Sequence, residues 1–320
     1  MELSIIIVNW NSKDFLRKCL QTVRSTCADL SPQIVVVDDG SFDGCGEMLA
    51  DEFPEVEFIQ SSKNLGFGRA NNLGFERVSG DVILLLNPDT ELPPGAIPEL
   101  LAAFQSLPKP GILGVRLHRS DGTLQTSCVQ NQPTPLNQFL AADLLKKNLP
   151  NVSVWGTREA FKSAGPVEVE CVTGACMLMY SNTFRAVGGF SSQYFMYGED
   201  LDLCFKVRRL GLRIYHIPSV AIIHHGGGSS FGEFNKFSAV LMCESVYLFI
   251  RTNRGLVAAI TYRVLMAVSS LIRVPLLGVA YLFSRASKRS AHINSIRKWL
   301  GILRWSAGLG KRVAKTTFSG

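Results

Sequence analysis

The stretch FMYGEDLDLCFKVRRLG at 195–211 places Glu199, Asp200 and Asp202 within four positions, after an aromatic lead-in and before an apolar, basic run. Carboxylates this close repel one another unless they bind a cation or take a proton in a reaction. Part of the cluster has a structural account. LDLCFKVRRLG reads as a helix with acids at its positive end, Lys206, Arg208 and Arg209 near its other end, and Gly211 as its stop. That explains one or two acids, and Asp202 suits an ion pair or a dipole contact in the first turn. It does not explain three.

Further polar groups stand directly after apolar runs: NWNS from Asn9, DDGSFDG from Asp38, SSKNLGFGRANN from Ser61, and NPDTEL from Asn87. Each taken alone could be a turn or a helix cap. His224, in IIHHGGGSS, follows an apolar run and precedes a glycine-rich loop, where a side chain can approach a ligand closely.

The elements that must position these groups alternate. LSIIIV at 3–8, IVVV at 34–37 and DVILLL at 81–86 read as strands buried on both faces. DFLRKCLQTV between them has helical spacing, with Phe15, Leu16, Cys19, Leu20 and Val23 on one side. This is an α/β pattern of βαβ units, in which ligands sit outside the carboxyl ends of the strands. The four polar loops should therefore converge on one edge.

Composition excludes several classes. Apolar residues make up 47% of the 320 and charged residues 18%, which rules out a disordered chain. The eight cysteines have no CxxC or short metal-ligand spacing and several lie in apolar runs, so they read as reduced core residues of a cytosolic protein. MELSIIIVNW lacks a basic n-region, and no signal peptide is expected. No GxGxxG follows the first strand and no GxxxxGK[ST] occurs, which argues against dinucleotide and ATPase readings.

Charge is divided along the chain. Residues 245–320 hold 13 of the 33 Lys and Arg and no acid. The other 20 basic residues stand against all 26 acids, so the first 244 residues carry −6 and the tail +13. An anionic partner for the tail follows. Residues 255–283 are apolar but interrupted by Arg263, Arg273 and Pro275. A single span would bring Arg273 near mid-bilayer, at about 2.5–3.5 kcal/mol on insertion scales. Two shorter helices lying in the interface avoid that by letting the arginines snorkel. The basic segment beyond, with Trp299 and Trp305, suits anionic headgroups; a soluble helical subdomain is the alternative, and nucleic acid is disfavoured because no recognition motif accompanies the charge.

VNWNS, VVVDDGSFDG, NLGFGRANN, LLLNPDTEL, VTGACMLM, FMYGEDLDLC and HHGGGSS together resemble, in order and rough spacing, the family 2 inverting glycosyltransferases, over about residues 3–254. The likeness is greatest to the bacterial rhamnosyltransferase-like branch. It implies the GT-A fold, a Rossmann-like mixed sheet flanked by helices, at residues 1–244, with residues 245–320 as a helical membrane-associating extension. It implies transfer of a sugar from a nucleoside diphosphate to an acceptor hydroxyl, with inversion.

The resemblance also implies roles. Asp200 becomes the catalytic base, with Glu199 orienting acceptor or base; a helix N-terminus would keep such a base ionised at neutral pH. Asp38 and Asp39 hold base and ribose, completed by Asn9, Asn64, Arg69 and Asn72, with Arg69 reaching the diphosphate. For Asn72 a helix-facing structural role competes. Gly174 and Ala175 line the sugar pocket. Asn87-Pro88-Asp89 stands where the wider fold carries a DxD metal motif, so Asp89 would carry most of the binding of a divalent cation, Mg²⁺ or Mn²⁺, aided by His224. A helix cap is the alternative for Asp89.

The function implied is a peripheral or monotopic enzyme on the cytoplasmic face of the plasma membrane. It would add one sugar, L-rhamnose by the branch likeness, to a lipid-linked precursor of a cell-surface polysaccharide. Transfer to polyprenyl phosphate and a non-enzymatic nucleotide-binding membrane adaptor are the rivals.

Overall fold

The computed structural model describes residues 2–27, 30–140, 158–226 and 235–309. The glycine-serine loop after Gly226 and the last basic residues, from Lys311, lie outside the described residues. The chain divides into two compact units, residues 1–132, 156–195 and 199–229, and residues 133–155, 196–198 and 230–320.

The first unit opens with β1 (Leu3–Asn9), α1 (Lys13–Thr26), β2 (Gln33–Asp38), α2 (Cys45–Glu52), β3 (Glu57–Gln60), α3 (Phe67–Phe75) and β4 (Val82–Leu86). The apolar runs of β1, β2 and β4 are buried almost throughout, and these strands pair in parallel, as runs without alternation should. Next come β5 (Thr90–Glu91), α4 (Ala96–Ser106), β6 (Pro110–His118) and β7 (Val129–Gln130). The described part of this unit ends with α6 (Arg158–Lys162), β8 (Val167–Val169), β9 (Cys171–Val172), β10 (Cys176–Tyr180), α7 (Ser181–Ala186), α8 (Glu199–Arg209) and β11 (Arg213–His224), α5 (Pro135–Leu140) belonging to the second unit.

The sheet runs β3-β2-β1-β4-β10-β6-β11-β5, with β8 also on β11. Strand β10 is antiparallel to both neighbours, while β11 is parallel to β6. The reversal of β10 has a consequence for the site: Gly174-Ala175, just before its start, lie at the carboxyl ends of its neighbours β4 and β6, on the sheet edge that also carries the ends of β1, β2 and β11. The expected mixed sheet and common edge are therefore present. The main core, with Ile5, Leu16, Val36, Leu84, Phe104 and Leu178, is sealed from solvent. All eight cysteines are free and buried.

The second unit contains α9 (Asn235–Arg254), α10 (Leu256–Leu282) and α11 (Ala286–Ser306). The expectation of two shorter helices over 255–283 is corrected: α10 is continuous through Pro275. Pro275 is exposed, so its ring and the Leu271 carbonyl it leaves without a donor lie on the outer side, where a helix tolerates them.

Candidate active site

At the end of β1 and β2, Asn9 and Asp38 are fully buried and joined by a 2.8 Å hydrogen bond from Asn9 Nδ2 to Asp38 Oδ1. Asp38 also accepts from the amides of Ser41 (3.1 Å) and Phe42 (3.0 Å), from Gln60 Nε2 (2.7 Å) and from the Ser41 hydroxyl. Burial alone would raise its pKa, but these donors outweigh burial and hold the carboxyl below its usual value. Asp38 thus shapes the turn that follows β2.

Asp38, Asp43 and Cys45 also lie within metal-ligating distance of one another. Asn9 Nδ2 donates to both acids, and burial pushes the Cys45 thiol far up, so this cluster is held by an amide rather than built for a cation.

Asp39 is 2% exposed and receives the amides of Leu65 (2.7 Å) and Gly66 (3.0 Å). Burial raises its pKa, and those two bonds partly counter it. Asn64 Oδ1 accepts from the same Gly66 amide at 3.0 Å. Gly66 has φ +84°, and a Cβ there would lie 2.1 Å from the Phe195 carbonyl oxygen, so only glycine fits. Arg69 donates to the Ser192 carbonyl through Nε (3.0 Å) and Nη2 (2.6 Å). Both amide atoms of Asn72 bond the Phe190 backbone at 2.8 Å, the structural role that competed with ligand contact at this position.

Across the edge, Asp200 Oδ2 accepts from the Gly174 amide at 3.3 Å and Oδ1 from the Leu201 amide at 2.8 Å. The Gly174 Cα faces the Phe67 ring, where a Cβ would come to 3.0 Å. Ala175 is buried and its carbonyl accepts from the Asn87 amide at 2.9 Å. This ties Gly174-Ala175 to the turn between β4 and β5 that carries Asp89.

Glu199 is 7% exposed, and its Oε2 has no hydrogen-bond partner. Burial, then the neighbouring charge of Asp200, pushes its pKa up to about 8. Burial also raises Asp200, against the amides of Leu201 and Gly174. The helix N-terminus was expected to favour ionisation, but burial wins. Glu199 therefore keeps its proton at neutral pH. Asp202 stands apart: Ser191 Oγ donates to it at 2.6 Å and Lys206 Nζ lies 3.7 Å away.

On the far side of Asn87, Asp89 Oδ1 and His224 Nε2 are 3.2 Å apart, and Asn87 Nδ2 is 3.3 Å from the same nitrogen. The pairing of Thr90 with His224 across β5 and β11 creates this meeting. One carboxylate oxygen, one imidazole nitrogen and the buried, unpartnered Asn87 Oδ1 form a donor set that fits a divalent cation completed by phosphate oxygens or water.

Two features here were not anticipated. Gln125 Oε1 lies 3.0 Å from His224 Nδ1. His225 bridges Glu91 (2.7 Å) and Ser120 (2.8 Å), while its amide donates to the Asp89 carbonyl. Nothing in DGTLQTSC marks Gln125 as other than a loop residue; the pairing of distant strands brings it here. A separate cavity of about 300 Å³, lined by residues including Val129, Val169 and Arg208, lies at the other end of α8 and contains none of these groups.

The description "Glycosyl transferase family 2" fits residues 4–161, and "N-terminal domain of galactosyltransferase" fits 158–226. The chain belongs to glycosyl transferase family 2. This family 2 glycosyltransferase is 28% identical over 261 residues to an N-acetylglucosaminyl-diphospho-decaprenol L-rhamnosyltransferase of Mycobacterium tuberculosis, covering 78% of this chain and 83% of that protein. It is 25% identical over 243 residues to Rhamnosyltransferase WbbL of Escherichia coli, covering 72% and 86%. Among solved structures, the mannosyltransferase PcManGT of Pyrobaculum calidifontis, in complex with GDP-Man and Mn²⁺, matches with a TM-score of 0.58 at 14% identity, over 96% of this chain and 86% of that one. That likeness establishes the GT-A fold.

Proposed function

We propose that the enzyme transfers L-rhamnose from a nucleoside diphosphate, dTDP by the likeness to the rhamnosyltransferase branch, to a hydroxyl of a lipid-linked glycan precursor. Relatives that match over 72–78% of the chain include rhamnosyltransferases, one named for a decaprenol-linked acceptor, which supports this choice beside a hexosyltransferase of Haloferax volcanii that matches over 70%.

The observation that carries the mechanism is the adjacent acids Glu199 and Asp200 on the same sheet edge as Asp89 and His224. The acceptor oxygen attacks the anomeric carbon, the carbon–oxygen bond to the diphosphate breaks, and the hydroxyl proton passes to Asp200. Glu199, protonated, orients the acceptor or the base. Asp39 and Asn64 set the loop that receives the nucleotide, Asn9 and Asp38 hold its floor, Arg69 flanks the diphosphate, and Gly174 and Ala175 leave room for the sugar. Asp89 and His224 would hold Mg²⁺ or Mn²⁺, whose charge supplies neutralisation of the leaving diphosphate.

Residues 1–244 would form the catalytic domain and 245–320 the attachment to an anionic membrane surface, on the cytoplasmic face, where nucleotide sugars are available. Prenyl-phosphate transferases, the rival within this class, align over only about a third of the chain, as the 33% match to a dolichol-phosphate mannosyltransferase of Pyrococcus furiosus illustrates.

The test is turnover of a panel of nucleoside-diphosphate sugars with a lipid-linked acceptor extract, comparing the native chain with Asp200→Asn. One donor consumed by the native chain and not by the variant is expected. Retained transfer in Asp200→Asn would favour a phosphate acceptor. Inertness towards every donor, with no donor binding by calorimetry, would leave the adaptor reading.

A further inference from the structure

Helix α10 is long and apolar enough to cross a membrane by length and composition alone. Its 27 residues extend about 40 Å, more than the ~30 Å of a hydrocarbon core. How its faces are used decides between spanning and lying flat.

One face is buried: Ala259, Tyr262, Met266, Ser269 and Ser270 point inward. The opposite face is a stripe of exposed apolar residues at helical spacing, including Val257, Ile260, Val264, Val268, Leu271 and Val279. No charged residue interrupts it. Both arginines of α10 turn towards α11. Arg263 donates to the Ser306 and Trp305 carbonyls at 2.9 Å, capping the end of α11, and Arg273 lies 4.2 Å over the Trp299 ring. Arg289 lies 5.6 Å over Tyr281.

These three contacts pair 263 with 305–306, 273 with 299 and 281 with 289, so α11 runs antiparallel along most of α10. Helix α11 exposes Lys288, Arg289, Arg297, Lys298 and Arg304. A spanning α10 would draw those cations into hydrocarbon with it. Lying flat, α10 can sink its stripe while α11 keeps its cations at headgroup level.

We propose that α10 is an in-plane membrane helix: its stripe from Val257 to Val279 enters one leaflet of an anionic bilayer, and α11 rides above it as a polar, cationic brace. This rests on the membrane attachment proposed above and adds the face, the depth and the absence of a crossing.

The test uses the full chain and vesicles of phosphatidylcholine with and without phosphatidylglycerol. The native chain is expected to float with the anionic vesicles. Val264→Glu combined with Leu271→Glu should keep its circular dichroism and melting temperature, since both positions are exposed, yet lose about tenfold or more in partitioning. Val257→Cys, Val268→Cys and Val279→Cys, each carrying a fluorophore, should be quenched to the same degree by a nitroxide lipid of a given depth. Depth that changes steadily from 257 to 279 would mean a spanning helix and overturn the proposal. So would flotation that survives the double substitution, or a stripe that holds a dimer in solution instead. A native chain that fails to float removes the attachment reading itself, which separates the two failures.

Discussion

Gln125 Oε1 lies 3.0 Å from Nδ1 of His224, on the side of the ring away from Asp89. Gln125 Nε2 donates to Ser127 Oγ at 3.2 Å, which turns its oxygen to the ring. Nδ1 therefore donates to Gln125, which fixes the ring with Nε2 towards Asp89 Oδ1. Gln125→Leu removes that acceptor and is expected to weaken Mn²⁺ binding by about 10- to 100-fold, the usual effect of losing such a support. Calorimetric titration of Mn²⁺ in the presence of a nucleoside diphosphate checks it. Gln125→Glu, which keeps an acceptor at the same reach, should retain most of the affinity.

The Glu199 and Asp200 pair predicts a particular pH profile. Below about 8 Glu199 keeps its proton, and above it a second negative charge forms beside the base. Turnover should therefore fall as pH rises through about 8, and Glu199→Gln, which cannot ionise, should lose that limb. On the acid side Glu199 is already neutral, so the same substitution should leave the acid limb where it is. Profiles of kcat/KM for both proteins report these as apparent values of the pair. An unchanged alkaline limb in Glu199→Gln would assign it to another group.

Much of this arrangement is legible in the sequence because the informative residues are local. Asp38, Asp39 and Asp89 sit at the ends of continuous apolar runs, so finding the strands finds the acids. His224 is visible for the same reason. What the sequence hides is which groups answer one another across the sheet. Arg69 and Asn72 look available for a ligand, yet meet the Ser192 and Phe190 backbones more than a hundred residues away. Gln125 reaches His224 because β6 pairs with β11, and His225 reaches Glu91 because β5 pairs with the end of β11. The continuity of α10 was hidden differently: Pro275 argues for a break, and only its place on the outer face permits the helix.

Gly66 holds the geometry of the loop proposed to receive the nucleotide. Its amide bonds Asp39 and Asn64, while its left-handed backbone brings the chain against the Phe195 carbonyl. Gly66→Ala adds a Cβ 2.1 Å from that oxygen and is expected to cost about 2–4 kcal/mol of stability. Urea unfolding measures it. Because the loop must shift, donor affinity should fall as well. Gly95→Ala makes the control: it shares a positive φ, +78°, but its Cβ would meet nothing, so any cost there is backbone strain alone.

His216 gives the fold an acid limit independent of the active site. The ring is fully buried between β6 and β8, edge-on to Phe161, with neither nitrogen hydrogen-bonded. Burial, then the charge of Arg116, lowers its pKa to about 4 from an ordinary value of 6.5. Between those values the unfolded chain binds the proton and the folded one does not, so stability rises with pH across that window. Acidification from 6.5 towards 4 should remove about 3 kcal/mol. His216→Phe carries no such proton, and because no hydrogen bond is lost it should fold at neutral pH with a modest packing penalty. Urea midpoints at pH 5 and pH 7 decide the matter: the gap in the native protein should shrink in the variant, and an equal gap would place the acid sensitivity elsewhere.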